Sequence, residues 1–278
     1  MKSILIPMLL TLAAGPTHAQ LVRERVVADR PVENTFFSQK LALLQTTESI
    51  SKQEMLFSIM HVFGPLDAGV QEFWGLDTYA NIRLGLEYGF SDDLSIGIGR
   101  SKLDKSVDLR TKYRWLRQME SGSVPVSVAV IANTAIDTRE LAYDPSVGER
   151  LSFMGSVLVA RKFNDRFSAQ LAPTLTHFNL VRADQENTAI SVGVVSRYRY
   201  EPNRAIGLEA TPVLTGGNSG SFMHYAVNYE METGGHVFQL FLSVGDGLSE
   251  QYAITRSYSK QLRFGFNVNR IFRIGESY

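Results

Sequence analysis

The stretch YANIRLGLEYGF, residues 79–90, alternates between apolar and polar side chains along its whole length. Every second residue from Ala80 to Phe90 is apolar, and the residues between them include Arg83 and Glu87. Successive side chains of a β-strand point to opposite faces, so the pattern predicts a strand with one apolar face and one charged face. The fold then depends on what the two faces contact: a protein core and water, or lipid and a barrel lumen.

The same alternation recurs along the chain and predicts about twelve strands. One strand, EMLFSIMHVF at 54–63, precedes the opening stretch, and the others follow it. These following strands are predicted at 94–99, 107–115, 126–133, 151–163, 167–178, 189–200, 205–213, 223–231, 236–243 and 262–269. Helical periodicity is absent from this region, so the predicted fold class is all-β.

The links between the strands alternate in length as well. Short turns surround Ser91, Asn164, Pro202 and Thr233, and the longer links lie at 64–78, 137–150, 181–187, 214–221 and 244–260. Short periplasmic turns and longer outer loops are typical of transmembrane barrels. The sequence therefore predicts a transmembrane up-and-down antiparallel β-barrel of about 12 strands, with a secreted β-sandwich as the alternative.

Side-chain placement favours the membrane barrel over the sandwich. Aromatic residues lie near the predicted strand ends, as an aromatic girdle requires: Tyr79, Tyr88, Phe90, Tyr113, Trp115, Tyr198, Tyr200, Tyr225 and Phe272. A lipid-facing arginine at the bilayer midplane costs about 2–4 kcal/mol, so the charged face of each strand is expected to face the lumen.

The N-terminus predicts export. Residues 1–19 contain Lys2, an apolar run and small residues before a cleavage site after Ala19, which is typical of a signal peptide. The expected location is the cell outer membrane, with its lipid and the barrel-assembly machinery as partners. Basic and acidic residues balance at 28 each, which argues against a nucleic-acid partner, and the absence of cysteine excludes disulfides and thiolate metal sites.

Two regions follow the signal peptide. Residues 54–278 form the predicted β-barrel domain. Residues 20–53 are polar except for an apolar patch at 36–44, and they read either as a periplasmic extension or as a plug folded into the lumen. A barrel of about twelve strands has an interior wide enough to need filling or to conduct.

Charged residues of the inner faces are the candidate functional residues. They are Arg83, Glu87, Asp108, Arg110, Lys112 and Arg114 on the second and fourth strands, with Arg197, Arg199 and Glu209 on the eighth and ninth. Rings of charge can select ions or solutes in a pore, and the local excess of cations then predicts a preference for anions. The same residues can instead form a salt-bridged interior that closes the barrel.

Enzymatic and metal-binding motifs are weak. The histidines His61, His177, His224 and His236 show no metal-ligand spacing, and no cofactor loop is present, so neither a metal nor a cofactor is expected. The sequence predicts a non-enzymatic channel or recognition barrel for a small polar or anionic solute. A structural or adhesive barrel is one alternative. An outer-membrane lipase or acyltransferase is another, and it would pair His177 with Asn179 or His224 with Ser221.

Several stretches carry a family resemblance. HVFG at 61–64, FWGLDTYANIRLGLEYGFSDDLSIGIGRS at 73–101, KYRWLRQ at 112–118 and GGHVFQLFLS at 234–243 occur in the family's order. In these pieces the chain resembles an uncharacterised family of Gram-negative outer-membrane β-barrels, a domain of unknown function, over roughly residues 55–278. It departs from the family pattern at Val62, where an arginine often follows the histidine, and at LSVG after HVFQL. The resemblance implies a barrel and its compartment, but no activity.

Overall fold

A computed structural model of the protein describes residues 29–103, 105–217 and 221–274. The signal peptide predicted at 1–19 lies outside the described residues. The strands are β1 (Glu54–Pro65), β2 (Asn81–Gly89), β3 (Leu94–Ser101), β4 (Ser106–Leu116), β5 (Ser127–Asp137), β6 (Leu151–Lys162), β7 (Phe167–Phe178), β8 (Thr188–Glu201), β9 (Arg204–Thr211), β10 (Val213–Thr215), β11 (His224–Glu232), β12 (His236–Val244) and β13 (Leu262–Arg273). Helix α1 (Glu250–Thr255) and two 3₁₀ helices (Leu66–Ala68, Val70–Gly75) lie in links. Among the described residues no helix is long and apolar enough to cross a membrane.

All the strands form one closed antiparallel sheet. From β1 to β8 and from β11 to β13 each strand pairs with its sequence neighbour, and β9 pairs with both β8 and β11. Strand β1 closes the circle by pairing with β13, with Glu54 opposite Arg273 and His61 opposite Phe266. Strands β9 and β10 both pair with β8 and are separated only at Pro212, which has no N–H group for the ladder. They therefore act as one interrupted strand, and the predicted twelve-stranded antiparallel barrel is confirmed.

The two faces of the strands contact different surroundings. On β2, Leu84 is 48% exposed on the outside, whereas its neighbour Arg83 is 4% exposed in the interior. Apolar residues at the outward positions of the long strands other than β1 form an exposed band, which matches the surface that a barrel presents to lipid. Of the predicted girdle aromatics, all except Tyr88 are among the exposed large side chains.

The two ends of the barrel differ, and we call them the turn end and the loop end. The turns at 90–93, 163–166, 202–203 and 233–235 lie at the turn end together with the start of β1. One link at each end departs from the predicted lengths: 102–105 is short at the loop end, and 117–126 is long at the turn end. The long link has a partner, since the Val32 N–H donates to the Gln118 carbonyl and the Glu120 N–H to Arg30.

Candidate functional site

The lumen contains chain from both ends of the barrel. Residues 34–50 enter from the turn end, and we call them the lumenal hairpin. Most side chains of the hairpin from Thr35 onward are buried. The link at 245–260 enters from the loop end, and we call it the inward loop. All six residues of its helix α1 are buried. The Gln45 N–H of the hairpin donates to Glu250 of α1 at 3.3 Å, so the two insertions meet inside the barrel.

A tight turn forms the tip of the lumenal hairpin. The Leu41 N–H donates to the Leu44 carbonyl, and the Thr46 N–H donates to the Gln39 carbonyl. The three N–H groups of Ala42, Leu43 and Leu44 all point to the carboxylate of Glu209 on β9, at 3.1, 2.9 and 3.2 Å.

Glu209 is 3% exposed, and its carboxylate also lies 2.7 Å from Nε2 of His224. Hydrogen bonds to a charged acceptor are stronger than neutral ones. The carboxylate therefore fixes the tip of the hairpin to the barrel wall.

Cationic and amide side chains of the wall bind the carbonyl groups of the hairpin. Lys112 Nζ donates to Thr46 at 3.2 Å and to Glu48 at 2.8 Å, and Arg197 Nη2 donates to Asn34 at 2.7 Å. The other donors to hairpin carbonyls are Gln170 to Gln45, Gln239 to Lys40 and Asn267 to Ala42. We call Lys112, Arg197 and Glu209 the docking charges, because their described hydrogen bonds to the hairpin are all to its backbone.

A second set of charges pairs within the wall itself. Arg83 Nη2 lies 2.8 Å from the Asp108 carboxylate, and Arg110 Nη2 lies 2.9 Å from the Glu87 carboxylate. We call these four residues the wall pairs. They reduce the cationic excess that the sequence analysis expected on this part of the lumen.

The wall pairs reach across a whole strand. Strands β2 and β4 are not neighbours, as the sequence analysis had them, because β3 lies between them. On the inner face of β3 stand Gly97 and Gly99, and a Cβ atom at Gly99 would lie only 1.9 Å from Arg83 Nη1. The missing side chains make the space in which the ions meet.

Two of the candidate charges lie at the turn end instead of in the lumen. Arg114 Nε contacts Asp93 at 3.0 Å, and Arg199 Nε donates to the Asp165 carbonyl at 2.9 Å. Burial raises the pKa of Asp93, but hydrogen bonds from Arg117 and Arg114 outweigh it and leave the pKa lowered. The expected grouping of Arg197 and Arg199 with Glu209 is not what the contacts show, since each binds a different partner.

The sequence analysis did not predict an apolar arc on the lumen wall. Met60, Val62 and Phe241 point inward and form a buried cluster with Ala42 and Leu43 of the hairpin and with Leu248 and Ala253 of the inward loop. A signal for it is present in EMLFSIMHVF, which is apolar on both faces. A strand that faces lipid on one side needs a second apolar face only if something apolar lies inside.

The described contacts of two histidines are with residues other than those that the acyl-transfer alternative paired with them. His177 Nδ1 lies 2.7 Å from the Thr188 hydroxyl, and the Asn179 amide donates to Gly148. His224 contacts Glu209 through Nε2, and its Nδ1 lies 3.3 Å from the Val244 carbonyl oxygen.

The remaining two histidines stack on phenylalanine rings, His61 on Phe266 and His236 on Phe238. Across the described ranges no group of three or more potential metal ligands converges.

A cavity of about 750 Å³ opens at the loop end above the inward loop. Its lining includes Tyr252 and Arg256 of the inward loop, Phe178 at the end of β7, and Arg139 and Arg182 from neighbouring loops. We call it the outer cavity.

Sequence comparison identifies the family. The model of a membrane-bound beta barrel domain of unknown function (DUF5777) matches residues 36–272. The chain belongs to this family. The match includes all of the lumenal hairpin from Phe36 onward, as well as the strands. No curated protein matches the sequence significantly.

Solved structures show the same fold at very low sequence identity. The KdgM porin is 9% identical with a TM-score of 0.50, and the match covers 79% of this chain and 99% of the porin. An outer membrane channel from Pseudomonas putida F1 is 12% identical with a TM-score of 0.49, over 81% of this chain and 98% of that one. The NanC porin is 7% identical with a TM-score of 0.49, over 78% and 98%. The protein is a membrane-bound β-barrel of the outer membrane.

Proposed function

We propose that the protein is a gated, non-enzymatic channel for small polar solutes, closed by the lumenal hairpin. The observation that carries this proposal is the chemistry of the hairpin's attachment. The three docking charges bind backbone N–H and carbonyl groups of the hairpin, with no ion pair between the wall and the hairpin among the described residues. A polar solute offers the same kinds of donor and acceptor, so a lumen without the hairpin has free groups with which to bind one.

The attachment is also incomplete. Buried polar atoms of the lumen remain without a hydrogen-bond partner among the described protein atoms, including Oε1 and Nε2 of Gln45 in the hairpin and Oδ1 of Asn267 on β13. Burying a polar group without a hydrogen bond costs free energy. These are positions where water or a polar solute can bind.

The wall supports itself without the hairpin. The wall pairs and the closed ladder of hydrogen bonds involve strand residues alone. Residues 33 and 51 flank the hairpin and lie outside the barrel at the turn end, so the hairpin can leave without opening the sheet. A barrel that is intact in both states is what a gate requires.

Conductance in planar bilayers tests the proposal. We expect the wild-type protein to conduct weakly and a variant lacking residues 34–50 to conduct steadily, with both showing heat-modifiable migration of a folded barrel. A further variant of the deletion, with the inward loop shortened between Asp246 and Ser259, separates closure by the hairpin from closure by the loop. If both variants fold and neither conducts, the interior is permanently closed and the channel proposal fails.

A reversible lock gives a sharper test, because the natural chain has no cysteine. An ideal Cβ at Gly207 would lie 2.7 Å from Leu41 Cδ1 of the hairpin tip, so L41C and G207C place two sulfurs within reach of each other. The oxidised double variant should be silent, and reduction should restore the wild-type openings. The two single-cysteine variants are the controls, and neither should respond to reduction.

Selectivity identifies the residues that line the opened path. In the deletion variant Lys112 and Arg197 lose their carbonyl partners, whereas Glu209 keeps His224 beside it, so we expect a preference for anions. K112E together with R197E should shift the reversal potential toward cations under a salt gradient. R114E together with R199E at the turn end is the matched control and should shift it less. An unchanged reversal potential in the first variant would place the path elsewhere.

A further inference from the structure

The outer cavity contains a cation that forms no ion pair with a carboxylate of the described residues. Four arginines line it, namely Arg139, Arg150, Arg182 and Arg256, against the three carboxylates of Asp137, Glu149 and Asp246. Arg139 pairs with Asp137, Arg150 with Asp144, and Arg182 with Asp184. Arg256 forms no ion pair with any residue that the structure describes.

The carboxylates of the cavity are already engaged. Asp137 accepts from both Nε and Nη2 of Arg139. Glu149 accepts from the N–H and the hydroxyl of Ser146, and Asp246 lies 3.8 Å from Arg263. Of the three lining carboxylates, Asp137 is thus paired with an arginine, Asp246 lies near one, and Glu149 is hydrogen-bonded to neutral groups.

Arg256 is held in place by rings and one carbonyl. Its guanidinium lies 3.5 Å from the centre of the Phe178 ring and 5.7 Å from that of Tyr252. Nη2 donates weakly to Leu180 at 3.4 Å, and Nε is buried without a partner. Burial lowers the pKa of this guanidinium, which is the effect of removing a cation from water. A planar fork of donors fixed on an aromatic face is suited to a carboxylate.

Aromatic rings supply the second half of a ligand site. Tyr143 and Tyr258 are exposed at 55% and 43% and line the same cavity. Exposed rings in a cleft bind the flat or apolar face of a ring-shaped ligand, and a volume of about 750 Å³ lies in the range of small-molecule sites.

We propose that the outer cavity binds a small carboxylate-bearing ring compound, with its acid group on Arg256 and its ring against the tyrosines. This assignment rests on the proposed function, since it names the solute class that the channel would admit. Helix α1 lies between this cavity and the lumenal hairpin. Tyr252 faces the cavity, while Glu250 accepts from the hairpin and Ile254 packs in one cluster with Leu41 and Leu44. A ligand on the cavity floor is thus one helix away from the gate.

Calorimetric titration of the refolded full-length protein tests the site without using conductance. The probes are benzoate and glucuronate, with benzamide and glucose as their uncharged counterparts. At least one acid should bind, and its uncharged counterpart should bind about tenfold more weakly or not at all. Binding of benzoate alone identifies an aromatic acid as the ligand, and binding of glucuronate alone identifies a sugar acid.

Substitutions locate the binding. R256Q should weaken binding of the acid by about tenfold or more. R256K keeps the charge but loses the planar fork, so its affinity should lie between those of R256Q and wild type. R166Q removes an exposed arginine from a turn at the opposite end of the barrel and should change affinity by less than about threefold. If R256Q does not fold, chemical modification of the wild-type protein replaces this variant. Phenylglyoxal modifies arginine side chains, and the bound acid should protect Arg256 from it.

The site assignment is wrong if neither acid binds the folded protein at about 10 mM, or if R256Q binds as wild type does. These results are independent of the gate. A barrel that binds the acid but never conducts would support the binding site and contradict the channel proposal. A barrel that conducts without binding the acid would support the channel and contradict the binding site.

Discussion

The wall pairs and the docking charges are both buried and ionised groups of one lumen, but their partners differ. Arg83 pairs with Asp108, and Arg110 with Glu87, between strands β2 and β4 of the wall. Lys112, Arg197 and Glu209 instead bind the backbone of a segment that enters from outside the sheet. Under the proposed gating, the first set belongs to the barrel in both states, whereas the second is complete only while the hairpin is docked. Burial and charge alone do not distinguish a structural ion from one that can be released.

The largest expected effect comes from breaking a wall pair. D108A leaves the Arg83 guanidinium buried without its partner, which typically costs about 3–5 kcal/mol of unfolding free energy. R83M combined with D108L removes both charges and should recover most of that loss. Urea unfolding of the barrel in lipid bilayers measures both.

The comparison of wall pairs with docking charges predicts that D108A lowers the unfolding free energy by the same amount in barrels with and without residues 34–50. A loss that depended on the hairpin would mean that the wall pairs also belong to the docking machinery.

Leu84, the outward neighbour of Arg83, gives the second effect. L84R places a charge on the lipid-facing side near the middle of β2 and should cost about 2–4 kcal/mol of folding free energy in bilayers. L84A is the control for lost apolar area and should cost less. An L84R variant as stable as wild type would contradict the assignment of this face to lipid.

Loss of a docking charge should act on the hairpin and not on the barrel. E209Q keeps the shape of the side chain but weakens three charged hydrogen bonds to the hairpin tip, and a hydrogen bond to a charged group contributes about 1.5–3 kcal/mol. We expect faster hydrogen exchange and proteolysis within 34–50. In a barrel that lacks the hairpin the same substitution alters only the contact with His224, so the unfolding free energy should fall by less than in the full-length protein. Equal destabilisation of both forms would make Glu209 a wall residue.

The smallest effect concerns the exposed charges at the turn end. The pKa of Asp93 is lowered in the folded state, so its ionised form contributes stability above its unfolded pKa, and that contribution is lost as the pH falls through the folded value. With the Asp93 side chain 40% exposed, water and salt screen the pair and the contribution stays below about 1 kcal/mol. The difference in stability between wild type and D93N should shrink below about pH 4. A difference that persists unchanged at lower pH would show that the charge of Asp93 does not matter.

Several site features were beyond prediction from sequence. Alternation marked Arg83, Asp108, Lys112 and Glu209 as inward-facing, but it could not tell which of them pair with each other. The pairing across β3 depends on two glycines opposite long side chains, and the docking charges depend on a segment with no periodicity of its own. The apolar patch at 36–44 was compatible with two interpretations, a periplasmic extension and a plug.

The sequence by itself determined the barrel, its approximate strand number and the faces of its strands. These follow from a side-chain period of two, read locally, and from the high cost of placing charge in lipid. Only the tertiary structure decided what fills the lumen and which ion meets which partner. Those contacts join residues as far apart as Ala42 and Asn267, and they require a closed sheet with a fixed register and the inward loop next to the hairpin.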